Sequence, residues 1–210
     1  MGQGLRTSFT GKGTRDRMRR LLFTVAGILG REGITYWLDR GTLLGAFRRG
    51  ELIAGDDDID IRIMHRDWLP VYELLRAALP GDLAVSAHHH GAVIGEGSAS
   101  MPGRWFRNRD GVFPVAAVEG MRDGTRYHTA TALAVHDARR PWYSKPNLDL
   151  YCCRVNSHHD CMPTGVPEPW REDGGRYLCV PSRRPWSRLV PESWVFPLSQ
   201  LELEGRAFPV

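Results

Sequence analysis

The segment Asp58-Ile59-Asp60-Ile61-Arg62-Ile63 alternates a charged residue with an isoleucine at every step, which predicts a half-buried strand. Successive side chains of a strand point to opposite faces, so the isoleucines take the core face and Asp58 and Asp60 the other. The same parity carried backwards adds Asp56 to the acidic face. Carboxylates at that spacing repel one another, and a rigid strand keeps them only where water, arginine or a cation compensates. A divalent cation does this best, and oxygen-only ligands favour magnesium, manganese or calcium over zinc. A solvated acidic loop is the plainer alternative, but the interleaved isoleucines argue against it. An EF-hand frame opening at Asp56 fails, because it puts Ile61 where glycine is needed and Asp67 where glutamate is needed.

Upstream, Gly41-Thr42 sits between a short apolar run at 34–38 and a helical pattern reaching Phe47. Backbone N–H groups and the helix dipole at such a turn favour an anion, so a phosphate held there would lie close to a cation held by Asp58 and Asp60. Arg48, further along the same helix, is a candidate for a second phosphate contact, although a solvent-exposed helix residue is as good a reading.

The rest of the chain reads as one domain. With 210 residues, 42% of them hydrophobic, it can bury a core without disulfides or metals. A loose lead-in is expected over 1–13 and a single domain over 14–210. Met18, Leu21, Leu22, Val25, Ile28 and Leu29 recur at helical spacing, with Thr14 or Asp16 as a cap and Gly30 and Gly33 as the stop. The run 21–29 is about half the ~20 residues a membrane span requires, so a core helix is predicted and no span. A further helix is expected over 68–78, followed by short strands at 91–94, 105–107 and 131–135, a longer one at 148–155, and a hairpin turning at Glu204-Gly205-Arg206. His88-His89-His90 is expected in an exposed loop. The fold class is α+β, a mixed β-sheet flanked by helices. The net charge of +4 is scattered rather than gathered, which argues against a nucleic-acid-binding arm and only weakly for an anionic ligand.

The residues Trp37-Leu38-Asp39-Arg40-Gly41-Thr42-Leu43-Leu44-Gly45-Ala46-Phe47-Arg48, then Leu52-Ile53 and Asp56-Asp57-Asp58-Ile59-Asp60-Ile61, closely resemble the core signature of the LicD/fukutin family. Phe196-Pro197-Leu198, followed by Leu201 to Arg206 and Phe208-Pro209-Val210, is similar to the family's second recurring block. The family includes bacterial phosphocholine transferases and the animal fukutin and fukutin-related proteins, which move ribitol phosphate from CDP-ribitol onto glycans. The resemblance implies a nucleotidyltransferase fold in which Gly41 and Thr42 match the phosphate turn, Asp58 and Asp60 the metal pair, and Asp56 the acidic residue before them. It also implies a third carboxylate on a later strand. Asp149, in Asn147-Leu148-Asp149-Leu150-Tyr151, fits best because Leu148 and Leu150 can face the core; Asp137 is the fallback. Two departures stand out: Ala54-Gly55 replaces the family's Pro-Trp, and the sequence stops at Val210 where the family continues, so a C-terminal truncation is the expectation.

The reaction the resemblance implies is transfer of a phospho-alcohol, ribitol phosphate or phosphocholine, from a CDP-linked donor to a glycan hydroxyl with Mg2+ or Mn2+. Asp58, Asp60 and Asp149 would be catalytic, and Arg104 and Arg107 are guesses for the donor site from charge alone. Nucleotidyl transfer with release of pyrophosphate, and a noncatalytic glycan-binding relative, are the competing readings. The Golgi lumen is expected for a eukaryotic relative and the cytoplasm for a bacterial one. Cys152, Cys153, Cys161 and Cys179, with His158 and His159 among them, leave a structural Zn2+, a disulfide such as Cys161 with Cys179, and plain buried thiols open, the last leading.

Overall fold

The helical stripe of the N-terminal region becomes one wall of the core: Met18, Leu21, Leu22, Val25, Ile28 and Leu29 are all buried. The computed structural model of the protein describes residues 12–64, 67–89, 92–95, 105–108, 111–114, 132–140, 145–156, 177–179 and 189–210. Within them the first helix, α1, is Lys12–Arg31, so it begins inside the expected lead-in and Thr14 and Asp16 lie within its first turns instead of capping it. Its end falls where predicted, with Gly33 at φ 65° and the Ile34 N–H bonded to the Leu29 carbonyl at 2.9 Å. Among the described residues no helix is long and apolar enough to cross a membrane.

Strand β1 (Tyr36–Leu38) leads into helix α2 (Arg40–Arg49), then β2 (Asp58–Met64), α3 (Trp68–Ala78) and β3 (Leu83–His89). The later strands are β4 (Ala92–Gly95), β5 (Trp105–Asn108), β6 (Gly111–Pro114), β7 (Ala132–Asp137), β8 (Asn147–Asn156), β9 (Tyr177–Cys179), β10 (Leu189–Pro191), β11 (Gln200–Leu203) and β12 (Arg206–Pro209). The main sheet runs β1-β2-β8-β7-β3-β4-β5-β6, with β9 joining the far end of β8 to β10. β2 and β8 are parallel while β1, β7 and β3 pair antiparallel with their neighbours, so the sheet is mixed and the fold is α+β. The triple histidine departs from expectation: His88 and His89 lie in β3, opposite Val93 and Ala92, and His90 lies outside the described residues.

Parity along the strands builds two different faces. Ile59, Ile61 and Ile63 of β2, Leu148, Leu150 and Cys152 of β8, and Leu133 and Val135 of β7 meet α1 and the Trp68, Val71 and Leu75 side of α3 in the main core. The opposite face is apolar only toward the end of β2, where Trp37, Met64, Cys153 and Leu178 form a smaller cluster with Phe196 edge-on to Trp37 at 5.5 Å. At the start of β2 that same face is acidic. Cys152 and Cys153 therefore sit on opposite sides of the sheet and do not share an ion; Cys161, His158 and His159 lie outside the described residues, and of Cys179 only the backbone in β9 is described. Burial raises the proton affinity of both thiols, that of Cys153 to about 11.

The C-terminal hairpin is part of the core. Its turn is the predicted one, with Glu204 at φ 53° and Gly205 at φ 77°, the paired left-handed conformation that suits a two-residue hairpin. Leu203 and Phe208 face inward, and Phe208 stacks on Phe23 of α1 at 6.1 Å. The Glu204 carboxylate takes Arg15 at 2.7 Å, Arg19 at 2.8 Å and the Leu52 N–H at 2.9 Å, which ties α1 and the loop before β2 to the hairpin.

That loop is also fixed by Gly45. A Cβ there would collide with the Glu51 carbonyl oxygen and press on Ile53, so α2 and the returning chain approach each other only because position 45 lacks a side chain. Gly45→Ala is expected to cost about 1–3 kcal/mol through overpacking, outweighing the ~1 kcal/mol gained in helix propensity. A thermal melt should show a lower midpoint; an unchanged or higher midpoint would mean that the loop has room to give.

Candidate active site

The acidic face gathers at one end of the sheet because β2 and β8 run parallel in a register that sets Asp60 directly beside Asp149. Leu148 and Leu150 are fully buried in the core, which turns Asp149 to the opposite face as its parity requires. The strand is more deeply set than half-buried, since Asp60 is only 6% exposed. Asp56 is placed differently from the simple alternation: β2 begins at Asp58, and Asp56 lies in the loop before it, its N–H bonded to the Ile53 carbonyl at 3.1 Å. Freed from strand parity, Asp57 joins its neighbours, and carboxylate oxygens of Asp56, Asp57 and Asp58 come within 4.8 Å of one another.

Burial and mutual repulsion are written into the proton affinities. Burial first, then Asp58, Asp149 and Asp39, push Asp60 up to about 7 against the opposing pull of Arg40. Burial likewise raises Asp149, with Asp58 adding to it and Lys145 opposing, and burial plus Asp58 raises Asp56. A set of carboxylates this crowded, with oxygen as the sole donor type, fits a hard divalent cation. Asp56, Asp57 and Asp58 are the carboxylates among the described residues whose oxygens lie close enough together to hold one ion, and Asp60 and Asp149 adjoin them on the paired strands.

The turn at the start of α2 is built around this cluster. The Thr42 hydroxyl is buried and accepts the Asp60 N–H at 2.9 Å, so the Thr42 side chain positions the acidic strand. A Cβ on Gly41 would stand 2.6 Å from Asp56 Oδ2, which shows the Asp56 carboxylate lying against the first turn of α2, the place where an anion was expected. Arg48 is exposed in the last turn of α2, about 10 Å along the helix from Gly41. Asp137 faces the helix side of the sheet in step with Leu133 and Val135, and its carboxylate is bonded by Arg139 at 2.9 and 3.1 Å, so it does not join the cluster. Of the guessed donor arginines, Arg104 lies outside the described residues and only the backbone of Arg107, in β5, is described.

Four residues at the site carry no role in the sequence reading. Arg40 adopts φ 47°, a left-handed conformation that costs a non-glycine residue about 1–2 kcal/mol, and its guanidinium lies 3.8 Å from the Tyr151 ring centroid. From there its charge favours ionised Asp60 and Asp149. Lys145 pairs with Asp58 and lies 3.9 Å from Asp57. Asn147 donates to Asp149 Oδ1 at 2.8 Å, and the Tyr151 hydroxyl donates to Oδ2 at 3.4 Å. Period-two spacing around Asp149 was the signal for Asn147 and Tyr151, since residues two apart in a strand share a face. No local pattern marks Arg40 or Lys145. Asp39, for its part, is bonded through its N–H to the Asp60 carbonyl at 3.0 Å and pairs with Arg62 at 2.8 Å, which pins the end of β1 to β2.

Residues 33–113 match the family model of the LicD/FKTN/FKRP nucleotidyltransferase domain. That span contains Gly41, Thr42 and the acidic strand, and ends before Asp149, whose placement rests on the sheet register. The chain is 46% identical over 48 residues to an uncharacterized protein of Rickettsia prowazekii, an alignment covering 23% of this chain and 18% of the relative. It is 42% identical over 59 residues to the ribitol 5-phosphate transferase FKRP of Mus musculus and to that of Homo sapiens, covering 28% of this chain and 12% of each relative. The matched part is thus less than a fifth of the length of any of these relatives.

Proposed function

Taking residues 33–113 as a LicD/FKTN/FKRP-type nucleotidyltransferase domain, we propose that the chain transfers a phospho-alcohol, ribitol phosphate or phosphocholine, from a CDP-linked donor to a glycan hydroxyl. The observation that carries this reading is the side-by-side pairing of Asp60 and Asp149 on parallel strands, with Asp58 one step away on the same face. Asp58, Asp60 and Asp149 would hold Mg2+ or Mn2+, which when bound supplies positive charge to the donor's diphosphate. Asp149 is held in one orientation by Asn147 and Tyr151, so its carboxylate is aimed before substrate arrives. Arg40 stands over Tyr151 with its charge directed at the same space and stabilises negative charge that develops as the donor's P–O bond breaks. The acceptor hydroxyl must lose its proton, and on this reading Asp149 or Asp60 takes it. Thr42 keeps Asp60 in register by holding its backbone N–H.

The likeness to two mammalian ribitol 5-phosphate transferases favours phospho-alcohol over nucleotidyl transfer. Product analysis decides between them: incubation with CDP-ribitol or CDP-choline, a glycan acceptor and Mn2+ should release CMP. Pyrophosphate from a nucleoside triphosphate, with no CMP from either donor, would overturn the proposal in favour of nucleotidyl transfer.

A further inference from the structure

At the same end of the sheet as the carboxylates, but on the helix side, lies a cleft of about 440 Å³. Among the described residues its walls carry Arg17 and Arg20 of α1, Arg139 and Arg140 after β7, and Lys145 before β8, against two carboxylates, Asp82 and Asp137. Those two are already engaged. Asp82 receives both arms of Arg20 at 2.6 and 2.9 Å, and Asp137 is bonded by Arg139, so each pair is close to neutral and holds its arginine in a fixed pose. Arg17 spends its Nε on the Gly13 carbonyl at 3.1 Å, and neither it nor Arg140 closes an ion pair with a carboxylate among the described residues. Lys145 lines the cleft and also reaches Asp58, so one side chain joins the basic cleft to the acidic site.

Clustered cations raise each other's energy as clustered carboxylates do, and an oxyanion relieves this most fully where arginine forks can bind two oxygens at once. Surface ion pairs such as these contribute little to stability. We propose that this cleft is an anion-binding site that seats a phosphate or carboxylate carried by the acceptor, placing the acceptor's hydroxyl across Lys145 from the catalytic carboxylates. The acceptor is then an acidic glycoconjugate, bound on the helix side while the donor occupies the acidic face. The acceptor assignment rests on the transferase reading; the anion site does not.

Calorimetric titration of the metal-free protein with inorganic phosphate, in chelator, tests the site independently of catalysis. Saturable binding is expected, weakened about tenfold or more in Arg17→Ala/Arg140→Ala and unchanged in Asp60→Asn. A parallel titration with glucuronate separates the two sources, the tighter ligand identifying a phosphate-bearing or a uronic-acid-bearing acceptor. Absence of saturable binding to both anions, or loss in Asp60→Asn with retention in the arginine variant, would overturn the anion site. If transfer is observed, the arginine variant should raise KM for an acidic acceptor while KM for the CDP-linked donor and kcat hold; a rise confined to the donor refutes the acceptor assignment. Phosphate binding without any transfer would sustain the cleft and sink only the catalytic reading.

Discussion

Asp60→Asn and Asp149→Asn should each lower turnover by about three orders of magnitude while the protein stays folded. Under the proposed function the loss follows from removing a charged cation ligand at the point where the donor's diphosphate would be neutralised, a contribution of several kcal/mol in sites of this type. The effect on stability should have the opposite sign for Asp60. Its carboxyl is held up to about 7 by burial and by Asp58, so in the folded state the proton leaves later than in the unfolded chain. Between the ordinary aspartate value and 7 the unfolded chain therefore binds fewer protons than the native state, and stability falls as pH rises through that window. Asparagine carries no charge to bury, so metal-free Asp60→Asn should melt at or above the parent's temperature at pH 8, with the gain shrinking toward pH 4. A melt series across pH, in chelator, measures this. Full turnover in either variant would remove the metal assignment, and a lower melting point for Asp60→Asn at pH 8 would contradict the crowding argument.

Glu204→Ala should be the most destabilising single change outside the core proper. The Glu204 side chain is 2% exposed, and three donors converge on it: Arg15, Arg19 and the Leu52 N–H. Truncation leaves two arginines facing each other and a backbone donor without its acceptor. Breaking a buried pair in this way costs roughly 3–5 kcal/mol, and the lower end applies here because both arginine side chains are 42% exposed and can turn to water. Burial alone would raise this carboxyl's proton affinity, but the Leu52, Arg15 and Arg19 bonds outweigh it and hold Glu204 below the usual glutamate range. The stability it contributes is thus complete above the ordinary glutamate value and is lost as pH falls through the lower native one. Urea titrations at pH 7 and pH 3 should show a large gap between parent and Glu204→Ala at pH 7 that narrows at pH 3. A gap that stays constant would mean that shape, not charge, is what Glu204 contributes.

Asp60, Asp149 and Glu204 were visible to different degrees in the sequence. The acidic strand was legible because alternation over six positions dictates both conformation and facing, whereas a third carboxylate was implied only by the family resemblance, with the leucine neighbours of Asp149 selecting that residue. Asp56 does meet Asp58 as expected, but from the loop and not from the strand, because the parity was extended past the point where the strand begins. The bond from the Asp60 N–H to the Thr42 hydroxyl was not legible, because no local pattern pairs these two residues. Arg40 and Lys145 were missed for the same reason: one is held by an unusual backbone angle and the other arrives from a different part of the chain. The hairpin turn at Glu204-Gly205 was readable from its residue types, whereas the ion pairs that make Glu204 a keystone depend on where α1 packs. Long-range contacts of this kind are what a sequence pattern with a period of two or four cannot contain.

The parallel union of β2 with β8 has a consequence for how the protein matures. Asp60 and Asp149 are brought into contact only by a strand that is made long after its neighbour, and parallel pairing is slow because the intervening chain must first be organised. A chain emerging from the ribosome therefore presents the Asp56 to Asp60 carboxylates well before Asp149 exists. Under the proposed function, a cation site that includes Asp149 is complete only once the central strands have paired, so tight binding of the ion would report finished folding and not assist its early steps.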